Sequence, residues 1–194
     1  ISTINKVIRF SDPDPNKETI FIWPEGVFAG VYLEQLKKYS HFFKKNFSDK
    51  HLLVFGVNIQ DPDSDKFYNS MLVANNNLKP IYRYDKKKLV PFGEFIPFNS
   101  FFEKLGLKKI TQGYGSFSKG EQQSNFLYNK INILPLICYE IIFPQLLNVS
   151  KSNLIINISE DAWFGDSIGP HQHFSKAIFR AVENNTYLIR SANK

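Results

Sequence analysis

Short, apolar, β-prone runs alternate along this chain with two segments of helical periodicity, and this alternation limits its fold more than any other feature. The runs Thr19 to Trp23, His51 to Val57 and Leu154 to Ile158 predict strands. Two further runs, Tyr68 to Ala74 and Pro80 to Tyr84, flank an asparagine turn and predict a strand pair. Strands interleaved with helices are typical of layered α/β domains.

Two segments carry apolar side chains at helical spacing. Residues Val31 to Phe47 predict one helix, with lysines between its apolar positions. From His171 to Asn184 the apolar residues fall at i, i+3, i+4, i+7 and i+8, which predicts an amphipathic helix with one stripe packed on a sheet. That stripe consists of Phe174, Ala177, Ile178, Ala181 and Val182. Thr186 to Arg190 predicts a closing strand, and without repeats or linkers we expect one α/β domain over residues 1–194.

The composition suits a single globular domain, because 43% of the 194 residues are hydrophobic. A net charge of +6 and an aromatic content of 15% favour amphiphilic partners with anionic groups, although a solvated lysine-rich surface explains the charge equally well. No RNA-binding motif is present, so nucleic acid is not an expected partner. No apolar stretch approaches the ~20 residues of a membrane span. Because the chain begins at Ile1 rather than Met, we interpret it as a piece of a longer protein.

The single cysteine, Cys138, ends the apolar run Ile131 to Ile137, where a strand end would hold a thiol rigidly. Glu25 and Lys86 also stand where a β-prone run meets a loop. A thiol attacks a carbonyl as the thiolate, so it needs a base or a cation nearby. Glutamate, lysine and cysteine in this order indicate acyl chemistry through a thioester. Each residue taken alone is also compatible with a surface carboxylate, a solvated basic turn or a core cysteine.

Other polar residues were considered as supports for Lys86 or as ligands for a metal or a phosphate. Glu94 ends an apolar segment fixed by proline and glycine after Lys86, and it could orient that lysine. His171 and His173 lack the further ligands that a metal site needs, so we expect structural roles for them. We also find no glycine-rich phosphate loop, and neither a metal nor a cofactor is expected.

Together these residues resemble the nitrilase, or carbon–nitrogen hydrolase, superfamily, whose catalytic set is Glu, Lys and Cys in this order. The longer motifs are similar to those of the apolipoprotein N-acyltransferase family within it. The matching segments are Trp23-Pro24-Glu25, Tyr84 to Pro97, Ile137 to Ile141, Asp161 to Gly165, Gly169 to His173 and Arg180 to Glu183. One departure is Glu160, where the family usually has Asn, and it affects the loop geometry expected there.

The resemblance implies a nitrilase-like α-β-β-α sandwich that is incomplete at both ends. The family's membrane bundle, first catalytic strand, closing strands and last membrane helix have no counterpart in this chain, which would be a partial catalytic domain. By the same resemblance, Glu25 is the general base, Lys86 stabilises the oxyanion and Cys138 is the acylated nucleophile. The supporting residues would be Glu94, Tyr139 and Glu140.

The resemblance also implies a reaction. A phospholipid would donate an acyl chain to the cysteine, and the diacylglyceryl-cysteine at the N-terminus of an apolipoprotein would accept it. The family works at the bacterial inner membrane with its catalytic domain facing the periplasm, so the membrane surface is an expected partner. Trp163 and Phe164 are expected to line the acyl or headgroup site.

The segment after Glu94 is rich in apolar residues, and we expect it to form an arm that touches lipid at the membrane surface. Its apolar residues are Phe95, Ile96, Phe98, Phe101, Phe102, Leu105 and Leu107, of which Phe98, Phe101 and Phe102 are candidate substrate contacts. The alternative is that they belong to an ordinary core.

Two other functions remain open from the sequence. A soluble nitrilase-like amidase would use the same three residues with water as the acceptor. A truncated remnant without activity would instead expose unpaired sheet edges and aggregate.

Overall fold

The computed structural model describes residues 1–95, 116–121, 125–147 and 151–193. The strands of these segments are β1 (Thr19–Ile22), β2 (His51–Gln60), β3 (Phe67–Ala74), β4 (Pro80–Asp85), β5 (Phe126–Tyr128), β6 (Ile131–Ile137), β7 (Leu154–Ser159) and β8 (Tyr187–Ala192). Their α-helices are α1 (Ser2–Ser11), α2 (Leu33–Lys37), α3 (Ser40–Asn46) and α4 (Gly169–Glu183). Short 3-10 turns follow several strands, among them Glu25–Phe28, Cys138–Ile142 and Asp161–Phe164.

The strands form two four-stranded sheets. The first sheet has the order β1-β2-β3-β4, with β1 parallel to β2 and the other neighbours antiparallel. The second sheet has the order β5-β6-β7-β8, in which β6, β7 and β8 are parallel and β5 is antiparallel to β6. Because parallel strands end at the same edge, the carboxyl ends of β6, β7 and β8 lie side by side.

Apolar side chains from both sheets meet in one buried cluster between them. The first sheet contributes Leu52, Val54, Met71, Val73 and Tyr84, and the second contributes Ile133, Ile137, Ile156 and Ile158. Successive residues of a strand point to opposite faces of its sheet. The side chains that alternate with these buried residues therefore point away from the other sheet and must be covered by another layer. The two sheets therefore pack face to face, with a helical layer required on each outer face.

Helices supply both outer layers. Leu53, Phe55 and Leu72 of the first sheet pack with buried residues of the helices α1 to α3. On the second sheet, Leu136 and Ile155 share a cluster with Ala177 of α4. The order of layers is helix, sheet, sheet, helix, and it confirms the predicted α-β-β-α sandwich.

The predicted helices differ from the structure in two respects. The segment Val31 to Phe47 contains two short helices, α2 and α3, because the chain turns at Lys38 and Tyr39 between them. The prediction that the apolar stripe of α4 packs on a sheet is wrong for most of its members. Phe174, Ile178 and Val182 are exposed.

Helix α4 instead faces the second sheet through His173, Ala177 and Arg180. These residues recur at i, i+4 and i+7, so they form a line on one side of the helix. Two of the three are polar, which a pattern of apolar residues alone could not reveal. None of the described helices is both long and apolar enough to cross a membrane.

Phe43 tests the packing of the helices α1 to α3, because it is fully buried among the rings of Trp23, Phe28 and Phe47. We expect Phe43→Ala to lower the free energy of unfolding by about 3–5 kcal/mol, since it removes a large buried ring and leaves a cavity. Urea denaturation followed by circular dichroism measures this change. The control is Phe10→Ala, at a residue 76% exposed, and equal effects of the two variants would contradict this packing.

Candidate active site

The carboxylate of Glu25 is placed by the end of β1. The N–H of Trp23 donates to the carbonyl of Val54 (2.8 Å), which holds this segment on β2 until the 3-10 turn Glu25–Phe28 begins. Gly56 of β2 lies directly against the backbone of Glu25, and a Cβ on Gly56 would lie 2.2 Å from the carbonyl oxygen of Glu25. Only glycine allows this close approach.

Lys86 follows β4 and is buried, with 2% of its surface exposed. Its Nζ donates to Oε1 of Glu25 (3.0 Å) and to Oε1 of Glu94 (2.9 Å). Burial disfavours the charged ammonium, but the two carboxylates outweigh this effect and raise the pKa of Lys86. Lys86 is therefore a fixed cation between two acidic side chains. One of them is Glu94, which the sequence predicts as a residue that orients this lysine.

Asn69 of β3 is a member of this site that the sequence reasoning missed. Its Nδ2 donates to Oε1 of Glu25 (2.7 Å) and to Oε1 of Glu94 (2.8 Å). The backbone N–H of Val90 donates to the other oxygen of Glu94 (2.9 Å). The available signal was a polar Asn inside a run otherwise rich in apolar residues, because an amide withdrawn from water needs hydrogen-bond partners.

Cys138 is the first residue after β6 and opens the 3-10 turn Cys138–Ile142. Its φ of 50° lies in the left-handed region that residues with a side chain rarely adopt. Burial and the negative charge of Glu25 raise the pKa of the thiol to about 12, although Lys86 opposes this shift. The thiol is therefore protonated at neutral pH and needs a base at the moment of attack.

The carboxylate of Glu140 is fully buried and connects the loop after β4 to the end of β6. Its donors, at 2.7 to 3.0 Å, are the backbone N–H groups of Ile137, Lys87 and Lys88 and the hydroxyl of Tyr84. Burial raises the pKa of Glu140, whereas these backbone donors and Lys86 favour its charged form. Glu140 therefore fixes the segments that carry Lys86 and Cys138 relative to each other.

Glu160, the residue that departs from the family pattern, lies beside Glu25. Its backbone N–H donates to Oε2 of Glu25 (3.1 Å), and its carboxylate accepts from Nδ2 of Asn193. The carboxylate fills the space beside Gly26, where a Cβ would lie 1.2 Å from Oε2 of Glu160. Burial raises the pKa of Glu160, and the charges of Glu25 and Asp161 add to this effect.

The remaining predicted site residues lie in different environments. Tyr139 is half-buried, with its ring 5.0 Å from that of Phe143. Phe164 packs on His173 at 5.6 Å, whereas Trp163 is 67% exposed, and a role for either in lining a substrate site stays a prediction. Phe98, Phe101 and Phe102 lie outside the described residues, as does most of the predicted arm. Among the residues that the structure describes, no group of three or more His, Cys, Asp or Glu could hold a metal ion.

Comparison with known proteins assigns the chain to a family. The family model named carbon-nitrogen hydrolase matches residues 22–194. The chain belongs to the carbon-nitrogen hydrolase family. This result confirms the resemblance to the nitrilase superfamily that the sequence motifs indicate.

Individual proteins of the family are similar to this chain. Apolipoprotein N-acyltransferase of Rhizobium rhizogenes is 36% identical over 180 residues, which cover 90% of this chain and 34% of that protein. The chain thus spans about a third of the length of the curated relatives it matches.

Solved structures support the fold. Nit3 of Saccharomyces cerevisiae, from the nitrilase superfamily, superimposes with a TM-score of 0.67 at 21% identity and covers 98% of this chain and 69% of that one. An amidase of Nesterenkonia sp. AN1, carrying acrylamide at its active site cysteine, gives a TM-score of 0.61 at 16% identity over 97% of this chain and 69% of that one. These two structures share the layered fold of the chain.

Glu25→Gln tests the electrostatic account of the thiol. Removing the negative charge beside Cys138 leaves Lys86 in place, so the thiol pKa should fall below its value of about 12. A fall of one pKa unit makes the thiolate about tenfold more abundant below the pKa. We therefore expect Cys138 to react with iodoacetamide at least about tenfold faster at pH 9, as measured by intact mass. Glu34→Gln, at an exposed carboxylate, is the control. A Glu25→Gln protein whose Cys138 reacts no faster than that of the parent would contradict the account.

Glu140→Gln tests the connection that the Glu140 carboxylate makes between the loop after β4 and the end of β6. The amide keeps the shape of the side chain but replaces an acceptor oxygen with a donor, so at least one of the buried N–H groups loses its partner. We expect a loss of about 2–4 kcal/mol in unfolding free energy, measured by urea denaturation. Glu18→Gln, at an exposed position, should change stability by less than ~0.5 kcal/mol. A Glu140→Gln protein as stable as this control would show that the connection contributes little.

Proposed function

We propose that residues 1–194 form part of the catalytic domain of an apolipoprotein N-acyltransferase. In this proposal an acyl chain passes from a phospholipid, through a thioester on Cys138, to the α-amine of a diacylglyceryl-cysteine. The observation that carries the proposal is the similarity to relatives of that name over 90% of the chain. The assembly of Glu25, Lys86 and Cys138 supplies the groups that the chemistry needs.

The first half-reaction makes the thioester. The Sγ of Cys138 attacks the ester carbonyl carbon of the phospholipid while its proton passes to Glu25, because a thiol with a pKa of about 12 is protonated before attack. The carbonyl π electrons move onto the oxygen, and the ammonium of Lys86 stabilises the resulting negative charge. When the tetrahedral intermediate collapses, the ester C–O bond breaks and Glu25 returns its proton to the leaving oxygen. The products are a lysophospholipid and acylated Cys138.

The second half-reaction makes the amide. The neutral α-amine of the acceptor attacks the thioester carbonyl, and Glu25 accepts the proton that the nitrogen loses. The C–S bond then breaks, and Glu25 gives this proton to the sulfur, which restores the thiol of Cys138. Glu25 serves as acid and base in turn, and no outside oxidant or cofactor enters the balance.

Lys86 is suited to the electrostatic role rather than to proton transfer. Its raised pKa keeps the ammonium charged through the cycle, and the carboxylates of Glu25 and Glu94 hold it in place. A cation fixed before the reaction needs little reorganisation as the oxyanion forms. In this proposal Glu94, Asn69 and Glu140 support the site without reacting.

The proposed substrates bear on where in the cell the protein acts. We infer that it acts at the bacterial inner membrane, with the catalytic domain on the periplasmic side, as the resemblance to the acyltransferase family implies, and a membrane lipid as acyl donor agrees with this location. The net charge of +6 favours approach to anionic headgroups. The predicted arm that includes Phe98, Phe101 and Phe102 would contact the lipid at this surface.

The second candidate function is amide hydrolysis with water as the acceptor. One observation favours it, the similarity of fold to the amidase of Nesterenkonia sp. AN1. A shared fold does not determine the substrate, and that protein is only 16% identical to this chain. The relatives named as acyltransferases match at more than twice that identity, so we favour acyl transfer.

Intact-mass measurement of the purified chain after incubation with phosphatidylethanolamine vesicles tests the proposal. We expect a mass increase of one acyl chain that neutral hydroxylamine removes, and none in Cys138→Ala, because the thioester requires the sulfur. Release of ammonia from small amides without any lipid adduct would favour the amidase. A chain that neither reacts nor unfolds cooperatively on heating would be an inactive remnant.

A further inference from the structure

The backbone of Cys138 needs support from its surroundings. A residue with φ of 50° costs about 1–3 kcal/mol relative to ordinary backbone, so neighbouring groups must stabilise it. The carbonyl oxygen of Cys138 accepts from Nε2 of His173 (3.2 Å) and from Nδ2 of Asn157 (3.4 Å). Helix α4 and strand β7 thus hold the nucleophile's own peptide group from outside its loop.

His173 lies against a pair of charged residues, Asp161 and Arg190. Its Nδ1 lies 3.0 Å from Oδ1 of Asp161 and 3.0 Å from Nη2 of Arg190. Nη2 of Arg190 donates to both oxygens of Asp161, at 2.9 and 2.7 Å, and the hydroxyl of Ser159 donates to Oδ1 (2.7 Å). Both the imidazole and this carboxylate are buried.

The partners define the protonation of His173. A carbonyl oxygen only accepts, so Nε2 must carry the hydrogen that Cys138 receives. Burial and the adjacent Arg190 lower the pKa of His173, so the ring is neutral and Nδ1 accepts from Arg190. Hydrogen bonds from Ser159 and Arg190 outweigh burial and lower the pKa of Asp161, which stays ionised and balances the guanidinium.

Ordinary packing does not account for His173 in this position. Helix α4 has apolar side chains available at Phe174, Ile178 and Val182, yet all three are exposed. The helix presents His173 and Arg180 to the interior instead. Burying polar groups is unfavourable unless specific hydrogen bonds compensate, and the bond from His173 reaches the nucleophile's peptide group.

We propose that His173 is a positioning residue for the nucleophile: held by Arg190, which Asp161 orients, it anchors the carbonyl of Cys138 and keeps the thiol in the buried position beside Glu25 and Lys86. The proposal uses the proposed function only in treating Cys138 as the nucleophile. The proposed contact needs a donor at the position of Nε2, whatever group carries it.

Two nearly isosteric variants separate this role from packing. In His173→Gln the side-chain amide can place an N–H near the position of Nε2, whereas His173→Met fills a similar volume without a donor. We expect the pH midpoint of Cys138 alkylation by iodoacetamide to stay high in His173→Gln. In His173→Met it should fall by at least about one pH unit, because a released thiol loses its burial and the effect of Glu25. Thermal unfolding, together with alkylation in urea as the unfolded reference, ensures that native protein is compared.

The same variants are tested for acylation by phosphatidylethanolamine vesicles. We expect a rate within about threefold of the parent for His173→Gln and a loss of at least about 30-fold for His173→Met, because attack depends on alignment with Glu25. If His173→Met does not fold, His173→Asn replaces it, since Asn is polar but too short to reach the carbonyl. Identical alkylation midpoints in the parent, Gln and donor-free variants would overturn the proposal. A shifted midpoint in a chain whose parent form takes no acyl group would support the positioning role and refute the proposed function.

Discussion

The ammonium of Lys86 is the interaction on which the rest of the site depends. Without it the carboxylates of Glu25 and Glu94 would repel each other in a partly buried space, and among the described residues only Asn69 would bridge them. A buried charge is tolerated only when it is paired and hydrogen-bonded, and here both conditions are met by residues from separate strands and loops. Folding of the first sheet therefore assembles one half of the site.

The second sheet supplies the other half, and buried polar contacts align the two. Cys138 comes from the turn after β6, Glu160 from the loop after β7, and Arg190 from β8, and the parallel order of these strands brings the three residues to one edge. The bonds from Tyr84 and from the loop after β4 to Glu140 then join this edge to the first sheet. Apolar packing between the sheets allows small shifts, whereas these directional bonds specify one alignment.

The sequence predicts much of the fold and the three central residues, for a physical reason. Short apolar, β-prone runs locate strands, and a polar residue that follows such a run within a few positions lies at a sheet edge, as Glu25, Lys86 and Cys138 do. Asn69 and Arg190 were missed because their partners depend on how distant strands align and on which face each side chain takes. The orientation of α4 was missed since its inward line is polar, and hydrophobic periodicity selects the opposite side.

The charge balance of the site suits the proposed amine acceptor. Glu25, Glu94 and Lys86 together carry an excess of negative charge, and Glu160 adds a further carboxyl group beside them. Burial and the charge of Glu25 disfavour a free thiolate, so sulfur attack must be coupled to proton transfer. The excess of negative charge also attracts a protonated α-amine, which must give up its proton before it attacks the thioester. The charge of Glu25, which together with burial keeps Cys138 protonated between turnovers, would thus also help to draw in the acceptor of the second half-reaction.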